Sequence, residues 1–387
     1  MSDPQTHARF APSAAHRWLE CPGSIALSAG IPDTSSELAD EGTFAHDIAA
    51  RALLGLQSID KYVGTVSACG RFTVDAAMVD ALRLYTDAFA ALQMMDGVGP
   101  TAIEERVALS DDVYGTADAL AWSGDRKTLH VMDLKYGQGV YVEVERNPQL
   151  MIYGAAALRS RRGTSIDVER VTLHVVQPRH PARPAWRSWT IARDELDAFG
   201  QGVVDVAASI KAGADTLYAG DWCRWCPAKA TCPKLRETAL EAARAAFADV
   251  DALTPATSPP DPAALSDDDL GRALTAAGVV ETWLSAVRAY ALERVRAGYR
   301  VPGWKLVRGQ SRRSWIDETT AAAWLAEHGV EPRGPAPMIS PAQAEKQLPR
   351  EIRADVARLC AKSDAGTVLA SESDRRPGVS PADVFLQ

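Results

Sequence analysis

Between Thr101 and Ile191 the apolar positions fall in short runs bounded by polar clusters, the pattern of β-strands. Thr101 to Leu109 predicts a first strand that closes in the turn Ser110-Asp111-Asp112. Thr116 to Trp122 and Thr128 to Lys135 flank Ser123-Gly124-Asp125-Arg126-Lys127, which predicts an antiparallel hairpin. With the turn centred between Asp125 and Arg126, Trp122 faces Leu129, Leu120 faces Val131 and Asp118 faces Asp133. The second arm is apolar on both faces, Leu129 and Val131 on one and Met132 and Leu134 on the other, so it reads as a central, buried strand. Val168 to Gln177 and Trp186 to Ile191 add two more strands.

Helical spacing takes over elsewhere. Ser35 to Gly55 predicts a helix interrupted near Gly42, residues 73 to 96 a second, and Asn147-Pro148-Gln149 opens a third, with Pro148 tolerated in its first turn. Arg193 to Lys211, Glu237 to Ala248 and Leu270 to Ala297 follow, and a short N-terminal helix ends at Cys21-Pro22-Gly23. The sequence predicts an α/β fold with a mixed central sheet flanked by helices. Its core domain spans 1–240, a Pro/Ser/Asp-rich linker 250–265, and a mostly helical extension 266–387, in which Trp304 to Trp315 alternates like a second hairpin before a Pro-rich tail from Arg333.

At 387 residues, with 47% hydrophobic and 24% charged positions, the chain has the composition of a globular protein with a sizeable core. No run of about 18 apolar residues occurs and the N-terminus is polar, so the expectation is a cytoplasmic protein without a membrane span. A net charge of −8 argues against a protein that simply coats DNA, though it leaves room for a local basic track. Arg159 to Arg162, then Arg179, His180, Arg183 and Arg187, then Arg308, Arg312 and Arg313 are the candidates.

Asp118 and Asp133 change the picture. Like charges directly opposite on one sheet face destabilise it, and an unpaired carboxylate on a buried strand is costly. A divalent cation between them removes the conflict, and Lys135, two residues past Asp133, projects from the same face. The plainer reading is a surface ion pair, which the apolar flanks disfavour. His46 sits among small and apolar neighbours on the helix before the sheet, and neutral imidazole is a good ligand for Mn²⁺ beside carboxylates. Glu104 and Glu105 are further acids, with the inward-facing one left open. Gln149 and Tyr153, four apart, share one helix face.

Three of the six cysteines cluster as Cys223-x-x-Cys226-x5-Cys232, and a ligand knuckle of this kind suits Zn²⁺ or an iron–sulfur cluster. No second knuckle follows, so the fourth ligand comes from far off, and Cys21 is the candidate. Cys69 and Cys360 read as unclustered thiols in helical settings.

Asp118 followed by Asp133-Leu134-Lys135 resembles the core motif of the PD-(D/E)XK nuclease superfamily. The Gln149-x-x-x-Tyr153 helix and Gly42-x-x-x-His46 resemble its RecB-type branch, and one N-terminal cysteine with a C-terminal trio enclosing the core resembles the AddB-type iron–sulfur exonucleases, over about residues 10 to 240. The resemblance implies a metal-dependent DNA exonuclease working on single strands or ends. His46, Asp118, Asp133 and the Leu134 carbonyl would hold Mg²⁺ or Mn²⁺, Lys135 would serve the chemistry, and Gln149 and Tyr153 would contact DNA. It also implies a [4Fe–4S] cluster on Cys21, Cys223, Cys226 and Cys232 that staples the domain's ends. The opening Ser13, Trp18, Cys21 and Pro22 resembles an uncharacterised phage and prophage family, which fits a recombination setting. No helicase motif or Walker segment is present, so an unwinding helicase or a recombinase would be a separate partner. The alternatives are a non-catalytic DNA-binding accessory protein and a zinc-stabilised interaction module.

Overall fold

The computed structural model describes residues 8–31, 37–97, 99–181, 184–246, 266–308, 313–332, 338–362, 366–372, 374 and 376–380. The chain divides into two compact units, Met1–Thr282 and Trp283–Gln387. In the first, helices α1 (Ala15–Glu20), α2 (Ser24–Leu27), α3 (Glu37–Leu53) and α4 (Ala76–Asp96) precede strands β1 (Thr101–Ala108), β2 (Tyr114–Trp122) and β3 (Thr128–Leu134). Helices α5 (Pro148–Arg159) and α6 (Arg161–Thr164) lead to β4 (Arg170–Val176) and β5 (Trp186–Ala192), and α7 (Arg193–Lys211) and α8 (Pro233–Ala246) follow.

The five strands form one mixed sheet in chain order. β1, β2 and β3 pair antiparallel, β4 lies parallel to β3, and β5 returns antiparallel to β4. A parallel neighbour requires a crossover connection, which α5 provides. The hairpin has the register expected from its turn: Trp122 pairs with Leu129 and Leu120 with Val131. Asp125 holds that turn by accepting from the Ser123 hydroxyl and the Lys127 N–H, while Arg126 takes the positive φ of 62° that the reversal needs.

Every residue of β3 is buried, as its two apolar faces predict. Leu120, Trp122, Leu129 and Val131 join a core with Leu150 and Ile152 of α5, Leu196 and Val203 of α7, and Trp18 of α1. Ala119, Ala121, Met132 and Leu134 join the other, with Ile48 of α3 and Leu82, Tyr85 and Phe89 of α4. Alternate side chains therefore enter opposite layers, and α3 and α5 reach the carboxyl end of β3 from the two sides.

One polar chain crosses this interior. The Trp186 indole N–H donates to His174 Nδ1 at 3.0 Å, His174 Nε2 lies 3.1 Å from His130 Nδ1, and His130 Nε2 lies 2.9 Å from Asp96 Oδ2. Because indole can only donate, neutral His174 carries its proton on Nε2 and passes the same polarity to His130. Burial pushes His174 down to about 3 and lowers His130 as well.

Three expectations are corrected. Helix α3 runs unbroken through Gly42, because an isolated glycine in an otherwise helical, tertiary-packed segment weakens a helix without ending it. Cys69 lies in a turn inside the Val66–Thr73 bridge and Cys360 opens a strand, so neither is helical. The C-terminal region contains, besides α9 (Asp267–Arg296), two small sheets. β6 (Trp304–Arg308) and β7 (Arg313–Trp315) do not pair with one another; after α10 (Glu318–Glu327) and α11 (Pro341–Gln347), β8 (Cys360–Lys362) pairs with β7 and β9 (Thr367–Ser371) with β6. Alternation marks which residues face a sheet and leaves the partner strand open. Leu325, Val330, Ala344, Leu348 and Val356 form that unit's core. The linker 250–265, the Ser35 helix start, and the beginning of the Pro-rich tail at Arg333 lie outside the described residues.

Candidate functional site

The β1–β2 ladder pairs Ile103 with Ala119 and Glu105 with Ala117, and skips the pair between them, Glu104 and Asp118. Glu104 has a φ of 51°, a left-handed conformation for which a non-glycine residue gives up about 1–3 kcal/mol. Strain of this kind gathers at functional sites. From α3, His46 Nδ1 comes within 3.3 Å of Asp118 Oδ2, an oxygen that also accepts the Leu134 N–H at 2.8 Å. One ligand atom each from His46, Glu104 and Asp118 lies within 4.8 Å of the others. These three line one narrow pocket with Tyr85, Leu134 and two alanines. Of the two acids on β1, it is thus Glu104 that reaches the site.

The β2–β3 ladder ends at Ala119–Met132, one step before Asp118 and Asp133. Asp133, 2% exposed, is 2.8 Å from Lys135 Nζ through Oδ2. Lys135 also donates to Gln149 Oε1 at 2.9 Å, and the Gln149 amide N–H faces Asp133 Oδ1 at 3.4 Å and the Tyr153 hydroxyl at 3.3 Å. Gln149 and Tyr153 in this structure brace the Asp133–Lys135 pair, and Tyr153 is itself buried.

The electrostatics divide the two aspartates. Burial raises Asp133, Lys135 opposes it, and Asp118 adds to the rise. Burial works the same way on Asp118, but His46, Lys135 and the Leu134 N–H outweigh it and hold its carboxyl low. For His46, burial disfavours the charged ring, while Asp118 and then Asp133 overcome it and raise its pKa. Glu104 is pushed up to about 7 by burial and by Asp118. Three acids crowding one imidazole are short of positive charge, and an imidazole nitrogen with two carboxylates is a donor set that suits Mn²⁺ or Mg²⁺.

The cysteines gather elsewhere. Cys21 caps α1; after α7, Cys223 lies on one short 3₁₀ turn (Asp221–Trp225), Cys226 between it and a second (Pro227–Ala230), and Cys232 just past the second, and all four are buried around one pocket. Backbone N–H groups of Tyr218, Gly220 and Leu235 meet the sulfurs of Cys21, Cys223 and Cys232 at 3.4, 3.5 and 3.5 Å. Burial raises the Cys21 and Cys223 thiols. Among the described residues no three of these sulfurs come within 4.8 Å of one another, whereas ligands about 2.3 Å from one tetrahedral zinc would stand about 3.8 Å apart.

The N-terminal arm reaches the trio through Gly23. Its N–H donates to Thr216 O at 2.9 Å, and a Cβ there would lie 2.1 Å from the Asp215 carbonyl oxygen, so only glycine lets the two backbones meet.

Residues 7–377 match the profile of a family described as "Protein of unknown function (DUF2800)". The chain belongs to that family. A solved structure titled "Crystal structure of SSO0001" is similar at 14% identity, over 60% of this chain and 89% of that one, with a TM-score of 0.30.

In this DUF2800 chain the basic tracks are largely engaged. Arg179 pairs with Glu41 of α3 at 3.0 Å and stacks on Tyr136; Arg187 lies under the Tyr141 ring and donates to Val142 O and Gln177 Oε1. The Tyr141 and His180 rings meet at 5.7 Å, and Arg313 forms a two-pronged pair with Glu345. Arg183 and Arg312 lie outside the described residues, and so do the side chains of Arg161 and Arg162. No helix among the described residues is long and apolar enough to cross a membrane. Sequence reasoning missed Gly23 as the docking point and left Glu104 unresolved; the Cys-Pro-Gly triplet was the visible signal for the first.

Proposed function

We propose that this protein is a divalent-metal-dependent DNA nuclease with a PD-(D/E)XK core, working on single strands or ends. The observation that carries this reading is the gathering of His46, strained Glu104 and Asp118 within ligand distance, beside the buried Asp133–Lys135 pair. His46, Glu104 and Asp118 would hold Mg²⁺ or Mn²⁺, with the Leu134 carbonyl and Asp133 close at hand. A bound ion of this class lowers the pKa of a water and offsets phosphate charge. Lys135, kept in place by Asp133 and Gln149, presents an ammonium that stabilises charge developing on the phosphoryl oxygens. Tyr153 fixes Gln149 from behind.

Cys21, Cys223, Cys226 and Cys232 would hold a [4Fe–4S] cluster. The test is digestion of end-labelled single- and double-stranded DNA with Mn²⁺ by wild type and Asp133→Ala. Shortening of the label by wild type alone is the expected result; intact DNA with the wild type, or equal cutting by both, would overturn the reading.

A further inference from the structure

Tyr85 belongs to neither group of residues assigned so far. It stands on α4, 1% exposed, in the layer of core that α3 and α4 build against the sheet. Its ring lines the same cavity as His46, Glu104 and Asp118. The charges of Asp118, Asp133 and Glu104 all act on its hydroxyl, yet that hydroxyl finds no hydrogen-bond partner among the described residues. A buried hydroxyl without a partner is uncommon and forfeits its hydration, so a retained one calls for a ligand that completes it. Phenylalanine would fill the same apolar volume without that loss. Of the neighbouring acids, Asp118 accepts from Leu134 and faces His46, and Asp133 is held by Lys135 and Gln149.

We propose that Tyr85 is a positioning residue of the acidic centre, its hydroxyl hydrogen-bonded to a water that the bound divalent ion would hold in the His46–Glu104–Asp118 pocket. The proposal rests on the metal reading above and adds to it a second layer from α4. A phenol at this place can both donate and accept a hydrogen bond, and an ion-held water beside Glu104 and Asp118 would supply the partner it lacks.

Tyr62 provides a control within the same protein. It too is buried in that layer with its hydroxyl unpartnered among the described residues, but it does not line the cavity. The experiment uses the full chain as wild type, Tyr85→Phe and Tyr62→Phe, with Mn²⁺ as the probe. Melting temperatures are measured without metal, then Mn²⁺ affinity by electron paramagnetic resonance, then the relaxation of water protons by the bound ion. Metal-free Tyr85→Phe should melt no lower than wild type, since no hydrogen bond is removed. Its Mn²⁺ affinity should fall about fivefold, the scale of one neutral hydrogen bond, and its water relaxation should change. Tyr62→Phe should match wild type in both metal readouts.

Wild-type affinity and relaxation in Tyr85→Phe would overturn the proposal and leave the metal centre standing. A metal-free melting point several degrees lower in Tyr85→Phe, without a change in water relaxation, would overturn it as well, by showing a structural bond. If wild type binds no Mn²⁺, the metal reading falls and this proposal with it.

Discussion

The acidic centre and the cysteine cluster are each assembled from distant stretches of one domain, and they are built on opposite principles. Around Asp118 nearly every feature is unfavourable in isolation: a strained Glu104, a ladder pair left out, a buried Asp133, and acids that raise one another's pKa. Around Cys21 the thiols are buried, and three of the four meet a backbone N–H. A protein tolerates stored conflict where a ligand or a reaction relieves it, and removes conflict where the task is to hold parts together. The acidic centre should therefore govern chemistry with little weight in stability, and the cysteines the reverse.

The largest effect that can break this contrast is on cleavage. Asp133→Ala and Lys135→Ala should each lower the rate by about a hundredfold or more, and the double variant should be no worse than either single one, because the pair acts as a unit. Melting temperature should not fall in Asp133→Ala, which removes a buried carboxyl that burial already disfavours. A tenth of wild-type activity in Asp133→Ala would assign the chemistry elsewhere.

Next in size comes loss of the proposed staple. Joining Cys21 to Cys223 closes a loop of about 200 residues, for which a simple chain model gives about 5 kcal/mol. Cys21→Ser, Cys226→Ser and Gly23→Ala should lower both iron content and melting temperature, the last because its new methyl would collide with the Asp215 carbonyl. Cys69→Ser and Cys360→Ser should change neither. Full iron in Cys21→Ser together with iron loss in Cys69→Ser would place the fourth ligand wrongly.

A smaller effect is expected for His46→Ala, which should weaken Mn²⁺ binding while activity partly returns at high Mn²⁺. An inactive variant that binds Mn²⁺ normally would give His46 another role. Smallest is a pH dependence that belongs to neither centre. Unfolded histidine binds a proton near its ordinary value of about 6.5, and folded His174 resists until about 3. The unfolded state therefore binds more protons inside that window, and stability should fall with acidification by about 1.4 kcal/mol per pH unit from this residue, with His130 adding in the same sense. Urea titrations of wild type and His174→Gln between pH 6.5 and 4 check this; parallel curves would remove His174 as the cause.

The hairpin was legible to the residue because its turn chemistry and two-sided apolar arm leave one register, and counting along it brought Asp118 and Asp133 to the same end of the sheet. That Cys21 gathers with the cysteine trio was legible from the missing second knuckle. Glu104 was not, since which of two adjacent acids turns inward depends on a positive φ that no residue type announces. The roles of Gln149 and Tyr153 as braces were hidden for a related reason: helix spacing shows a shared face but not what stands opposite. In the C-terminal unit the strands β6 and β7 were visible, and their partners β9 and β8, about 45 to 67 residues on, were not.

Mn²⁺ titration of wild type, Asp118→Asn and Glu104→Gln, followed by electron paramagnetic resonance, tests the centre most directly. Asparagine keeps an oxygen for the Leu134 N–H, so the variant loses charge while its hydrogen bond survives. Wild type should bind Mn²⁺, and both variants should bind it at least about tenfold more weakly with unchanged melting temperatures, the scale set by losing a charged donor. Equal Mn²⁺ affinity in all three proteins, or no binding by wild type, would contradict a metal centre at Asp118.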